Sequence, residues 1–163
     1  MLIINREEDY EQIEKNFEKA SIITIEGKKY AELVNAVYGI QYDARILKEK
    51  IKCNKFDDRV ERLDLIKGLD KCIDVLKKDI NSRRAVFTNL YDNGLGKCIS
   101  LVHLFCRDGK AYINEYYRSQ EFNKNFAYDF QTAVILMKKA MNELNVKPGL
   151  IIVFVANLHK EIE

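Results

Sequence analysis

Side chains able to do covalent or metal chemistry are few: Cys53, Cys72, Cys98 and Cys106, with two histidines, His103 and His159. No two cysteines form a C-x-x-C pair, and a zinc site needs four ligands at tight spacings, so no metal centre is expected. In a reducing compartment these residues are thiols rather than bridges. A thiol of that kind is usually a small buried hydrophobe, the role expected of Cys53, Cys72 and Cys106. Taken alone, Arg83 and Arg84 are a solvated pair following a helix. Asp129, taken alone, is an aspartate near a helix N-terminus, where backbone donors and the dipole favour it. Cys98 has more to offer, because of what surrounds it in the sequence.

The elements that must position these residues belong to one domain. A chain of 163 residues falls near the size of a single domain, and it buries roughly 70% of its unfolded surface, enough for a core without staples. Hydrophobic residues make up 47% and charged residues 32%, an ordinary globular balance. Lys plus Arg is 27 against 25 Asp plus Glu, a net charge of +2. That is too near neutral to point to nucleic acid or an anionic membrane as partner. The longest apolar run, Leu150 to Ala156, is too short to cross a bilayer. No basic stretch followed by an apolar one opens the sequence, so the expected location is cytoplasmic.

Ala20 to Glu26 is short and β-branched, a strand. Ala85 to Leu90 and Lys97 to Cys106 alternate as strands around the turn signal Tyr91-Asp92-Asn93-Gly94. Asp108-Gly109 then turns the chain into Ala111 to Tyr117, completing an antiparallel meander. Leu150 to Val155, launched from Pro148-Gly149, is a fourth core strand. Tyr10, Ile13 and Phe17 line one face of a helix over Glu7 to Lys19. Val60, Leu63, Ile66, Leu69, Ile73 and Leu76 repeat at helical spacing across Asp57 to Lys78. Phe126 to Leu144 is apolar all round from Ala133 to Met137, which predicts a helix buried in the core. This order predicts an α+β fold with helices packed on one main sheet.

Three stretches in order resemble the thymidylate synthase family and its pyrimidine nucleotide hydroxymethylase relatives. Val37-Tyr38-Gly39-Ile40-Gln41-Tyr42 resembles the family's V-Y-G-x-Q-W. Asp79-Ile80-Asn81-Ser82-Arg83-Arg84 resembles its D-P-x-S-R-R. The third stretch runs from Cys98 through Asp108-Gly109-Lys110 and Tyr116-Tyr117-Arg118-Ser119 to Lys147-Pro148-Gly149 and His159. The resemblance implies a thymidylate-synthase-like α+β fold, with a mainly antiparallel or mixed sheet and a long buried helix. It would be a single domain over 1–163, family-like from 36 to 163, divergent over 1–35 and truncated at both ends relative to the family.

By that resemblance Cys98 is the nucleophile. A thiolate, its pKa lowered by nearby positive charge, adds to C6 of a pyrimidine ring and turns C5 into a carbon nucleophile that attacks a one-carbon donor. Tyr38 belongs to the network around it. Lys97 adjoins Cys98, but alternation sends their side chains to opposite faces of a strand. Arg118 and Ser119 bind the nucleotide phosphate, joined by Arg83 and Arg84 reaching across a homodimer interface, a cage suited to a dianion. His159 meets the sugar hydroxyl. Asp129 stands where thymidylate synthases carry Asn and the cytosine-nucleotide hydroxymethylases carry Asp; a carboxyl group accepts from N4 of cytosine and shares a proton with N3. The implied partner is a pyrimidine nucleoside monophosphate, dUMP or dCMP/CMP. The implied one-carbon donor is of tetrahydrofolate or tetrahydromethanopterin type, and no metal is implied.

Several positions depart from the pattern. The histidine after the nucleophile is Ile99, the aspartate after Arg118-Ser119 is Glu121, and the L-G-L-P-F stretch reads Lys124 to Tyr128. The tyrosine partner of His159 is Glu161, and His103 replaces a glutamine. No counterpart of the catalytic glutamate stands out, with Glu26 and Glu32 candidates by chemistry only. Two functions therefore follow: methylation or hydroxymethylation at C5 through a Cys98–C6 adduct, or an inactive pyrimidine-nucleotide-binding or scaffolding homodimer that keeps the fold.

Overall fold

In the computed structural model the described residues are 2–4, 7–45 and 57–162. Cys53 lies outside them, as do the side chains of Tyr10 and Val60. The architecture is α+β, a mixed eight-stranded sheet with helices. The elements are β1 (Leu2–Ile4), α1 (Glu7–Asn16), β2 (Ser21–Ile25), β3 (Lys28–Gln41), α2 (Asp57–Lys78), β4 (Val86–Leu90), β5 (Gly96–Arg107), β6 (Lys110–Tyr117), β7 (Gln120–Glu121), α3 (Phe126–Leu144) and β8 (Lys147–Ile162). Across the sheet they run β1-β3-β8-β6-β5-β4, with β2 paired to β3 and β7 to β8.

The expected meander is β4-β5-β6, antiparallel throughout. Its second turn is two residues long, and Asp108 and Gly109 both hold positive φ (50° and 70°), as a tight hairpin between right-twisted strands requires. Helix α3 then carries the chain from β6 to β8, which lie parallel, the crossover that a parallel pair needs. Helices α2 and α3 span the residues that the periodicity predicts. The predicted first helix is shorter, ending at Asn16 and closing in a 3₁₀ turn over Phe17–Lys19.

One long strand is unexpected and another exceeds its expected length. Lys28–Gln41 is one strand of 14 residues, and Lys147–Ile162 is one of 16. They pair antiparallel from Lys29↔Ile162 to Gln41↔Leu150. Their charged ends, rich in Lys and Glu, obscure the alternation; cross-strand partners rather than local propensity hold them extended.

Register sorts the side chains into two faces. Phe87, Val102, Glu115, Val153 and Tyr38 form one row across β4, β5, β6, β8 and β3. This row faces the helices: Phe87 crowds Gly68 of α2, and the Tyr38 ring lies 5.4 Å from that of Phe126 in α3. Leu104, Ile113 and Ile151 are buried on the same face with Leu69, Leu136 and Met137 of the helices. The adjacent row, Leu101, Tyr116, Phe154 and Val37, points the other way. There Tyr116 is 45% exposed and Phe154 and Val37 each 40%. A bulge between Ile99 and Leu101 shifts the alternation where β5 meets the end of β6.

Candidate functional site

Cys98, Ser119, Asp129 and His159 line one pocket, with Gln120, Glu121, Asn125 and Tyr128. Its volume is about 160 Å³, on the order of the ~150 Å³ that accepts a benzene-sized ring. The bulge on β5 puts Cys98 beside the strand that follows: its carbonyl accepts from the Arg118 amide at 3.0 Å. Inside the bulge the Ser100 hydroxyl donates to the Lys97 carbonyl at 2.6 Å. Lys97 turns to α2, its ammonium 2.8 Å from Asp64, while Cys98, half-buried, faces the pocket. Their expected divergence is observed.

Asp129 sits in the first turn of α3, but its side chain reaches another element. Its Oδ2 accepts from Nε2 of Gln120 at 2.9 Å, and Oε1 of Gln120 accepts from the Tyr38 hydroxyl at 2.8 Å. Tyr38 therefore joins the pocket through Gln120 and Asp129 rather than by lining it. The buried tyrosine fixes which way the Gln120 amide faces, and thereby marks Asp129 as the acceptor. His159 packs edge-on to Tyr30, ring centroids 5.4 Å apart. Beside it Glu161 binds Lys124 and Lys28, which hold its carboxyl at about 2.

Arg118 is exposed; its Nε donates to the Gly96 carbonyl at 2.9 Å, which keeps it at the start of β5. Arg83 and Arg84 are exposed on the segment between α2 and β4. Asp79 and Ser82 shape that segment by accepting from the amides of Asn81 and Arg84. The Ala85 carbonyl bonds the Leu104 amide, six residues along β5 from Cys98, or about 20 Å at strand spacing. The structure thus brings four of the eight predicted site residues together and ties in Tyr38. It leaves the paired arginines at the far end of the strand. Glu26 lies in the turn after β2 and Glu32 accepts from Asn157, so neither candidate acid lines the pocket.

Three groups escape the sequence reading. Gln120 follows directly on Arg118-Ser119 and is buried. Arg62 of α2 lies over the Tyr128 ring, 4.2 Å from its centroid, and donates to Thr132. Glu115 is 0% exposed; Ala111, Ile113 and Tyr117, its inward-facing companions on β6, were the available signal. Burial, then the negative charge of Asp129, push its carboxyl up to about 8. Tyr117, which donates to it at 3.3 Å, is pushed well up by the same burial.

His103 lies on the open face of the sheet, away from the pocket, with its ring 5.1 Å from Phe105. Burial, then Arg107, lower its pKa. Cys72 and Cys106 are buried; desolvation raises both thiols, Cys72 to about 11, the inert condition expected of them. Among the described residues no cluster of three or more His, Cys, Asp or Glu could hold a metal ion, and no helix is long and apolar enough to cross a membrane. No protein-family model matches the chain, and no curated protein matches it.

Proposed function

We propose that this chain binds a pyrimidine nucleoside monophosphate and performs one-carbon transfer at C5 through a covalent Cys98–C6 adduct, on a fold of thymidylate-synthase type. One observation carries the reading: Cys98, Ser119, Asp129 and His159, far apart in sequence, line a single pocket of one ring's volume. In it Asp129, oriented by Gln120, would meet the N3–N4 edge of a cytosine ring. The Cys98 thiolate forms its bond to C6, and the C5–C6 π pair moves through the ring so that C5 becomes nucleophilic. Protonation of C5 by solvent, loss of the original hydrogen and expulsion of the thiolate regenerate the ring, so exchange at C5 reports the adduct without any donor.

A tetrahydrofolate- or tetrahydromethanopterin-type group does not fit this pocket beside a pyrimidine, because about 160 Å³ is filled by one ring. Such a donor would approach from outside the pocket, and the residues named here act on the nucleotide alone. Arg118 offers a phosphate dianion one cation and Ser119 only a neutral hydroxyl, while Arg83 and Arg84 stand about 20 Å away along β5. A second copy that brings its own Arg83 and Arg84 satisfies both facts. The open apolar face around Tyr116 and Phe154 is a surface for such a homodimer.

A second reading, a nucleotide-binding or scaffolding dimer without catalysis, draws support from Arg118, whose Nε bonds a backbone carbonyl. Calorimetric titration with dUMP, dCMP, UMP and CMP, with sedimentation alongside, tests binding and dimerisation. Tritium release from C5-labelled nucleotide separates the two readings. About micromolar affinity with release that vanishes in Cys98→Ser supports the enzyme; binding without release supports the scaffold; no binding of any of the four overturns both.

A further inference from the structure

We infer that Glu115 is a positioning residue acting through Asp129: held neutral behind the pocket, it lets Asp129 carry the single negative charge against the base, and its ionisation switches nucleotide binding off. This rests on the proposed reading that Asp129 meets the ring edge.

The geometry gives Glu115 few ways to be charged. Its register neighbours Val102 and Val153 are apolar and fully buried. Oε2 accepts from the Tyr117 hydroxyl at 3.3 Å, while the buried Oε1 has no partner among the described residues. A buried carboxylate with an unsatisfied oxygen is costly, whereas a protonated one carries no charge to solvate. Burial and the Asp129 charge favour the neutral form and outweigh the hydrogen bond from Tyr117, which favours the charged one. Asp129 of α3 bears on it with negative charge, and Tyr117 on its own strand feels that charge together with the nearby Tyr38 of β3. The guanidinium that α2 sends to this region, from Arg62, bonds Thr132 and Gln131 and covers Tyr128. The negative charge of Asp129 thus adds to burial in disfavouring a second charge on Glu115. The pocket exposes Asp129 and not Glu115, so the one charge belongs at the base edge. A second charge behind it would repel Asp129 from its seat on Gln120 and oppose an anionic nucleotide.

The test is calorimetric titration of the full chain with dCMP between pH 6 and pH 9.5, for the wild type and Glu115→Gln. The wild-type affinity is expected to hold to neutrality and then fall, approaching about tenfold per pH unit once Glu115 ionises. Glu115→Gln should stay level over the same range, and Glu115→Met repeats the comparison if the amide disturbs packing. A fall that persists in both variants belongs to another group, such as the Cys98 thiol, and overturns the inference while leaving the nucleotide reading intact. Binding absent at every pH removes the nucleotide reading and the inference with it. Infrared spectra of the ligand-free protein give an independent check: a protonated-carboxyl band at pH 7 must be present and must disappear in Glu115→Gln, and its absence from the wild type overturns the proposal.

Discussion

One row on each face of the sheet departs from the usual economy of a half-buried sheet. The row Val102, Glu115, Val153, Tyr38, one residue in register from the row Leu101, Tyr116, Phe154, Val37, lies under the helices, yet it holds a carboxyl and a phenol. The second row is uncovered, yet it holds aromatic and aliphatic side chains. Polar groups under cover cost free energy unless bonded, and contiguous apolar groups on the surface mark an interaction site. Stability alone explains neither placement. The covered row runs toward the pocket through Gln120 and Asp129, and on the proposed reading the open apolar row is where a second copy would dock. Each face thus carries its departure where the proposed chemistry needs it.

The largest way to break this comparison is at the sulfur. Cys98→Ser should lower C5 tritium release by at least ~10³-fold, as removal of a nucleophile does, with calorimetric affinity for the nucleotide nearly unchanged. Loss of affinity together with release would make Cys98 a packing residue and the covered face merely strained.

Glu115 sharpens the contrast through pH. Its ordinary value is 4.5 and the fold raises it to about 8. Between those values the unfolded chain has lost the proton that the folded chain keeps, so the unfolded state binds fewer protons and stability falls as pH rises. Below 4.5 the cost is absent, and above 8 it is complete. Glu115→Gln removes this dependence, so its melting temperature relative to wild type should climb from pH 4 to pH 8 and then level. At pH 7 the gain is expected to be at most ~3.5 kcal/mol, from about 2.5 pH units at ~1.4 kcal/mol each. A difference independent of pH would show that Glu115 ionises freely in the folded protein.

How far the sequence carries depends on what each residue leans on. Helices α2 and α3 were legible because their apolar period is local, and the meander because Asp108-Gly109 fixes its turn. The strand β3 was not, since Lys28, Lys29 and Glu32 lack strand character and are held by cross-strand partners on β2 and β8. Cys98, Ser119, Asp129 and His159 could be picked out through motif resemblance, and their convergence is a property of the fold. Gln120 and Arg62 act through side chains on other elements, which no spacing within their own segments reveals. Glu115 was within reach, as a charged residue at an inward position of an alternating strand. That the paired arginines stand apart from the pocket follows from the sheet register, which a linear reading does not contain.

On the open face, Tyr116→Glu with Phe154→Glu places two charges on adjacent strands at a register pair. Sedimentation should then show a monomer in place of a dimer. Nucleotide affinity should drop about tenfold to a hundredfold, since each charge-assisted phosphate contact is worth roughly 1.5–3 kcal/mol. Arg83→Ala with Arg84→Ala should lose comparable affinity and remain dimeric. A wild-type monomer that still binds nucleotide would separate the open face from the site.

The smallest effect is expected at the boundary between the faces. Ser100 sits in the bulge of β5, and its hydroxyl closes the bulge onto the Lys97 carbonyl at 2.6 Å. The bulge is what separates the phase of Lys97 and Ile99, both buried, from that of Val102 and Leu104. It also aims Cys98 at the pocket while Lys97 stays on α2. Ser100→Ala removes one hydrogen bond, at about 1 kcal/mol in denaturant unfolding, and leaves room for the new methyl where the hydroxyl's own Cβ stood. If the bulge is set by that bond, alkylation of Cys98 by iodoacetamide should change in rate as the thiol shifts in the pocket, with Cys72 and Cys106 unreactive in both proteins. An unchanged rate with the same small loss of stability would mean that the strands on either side, Tyr116 and Tyr117 against Leu101 and Ile99, hold the bulge by register alone.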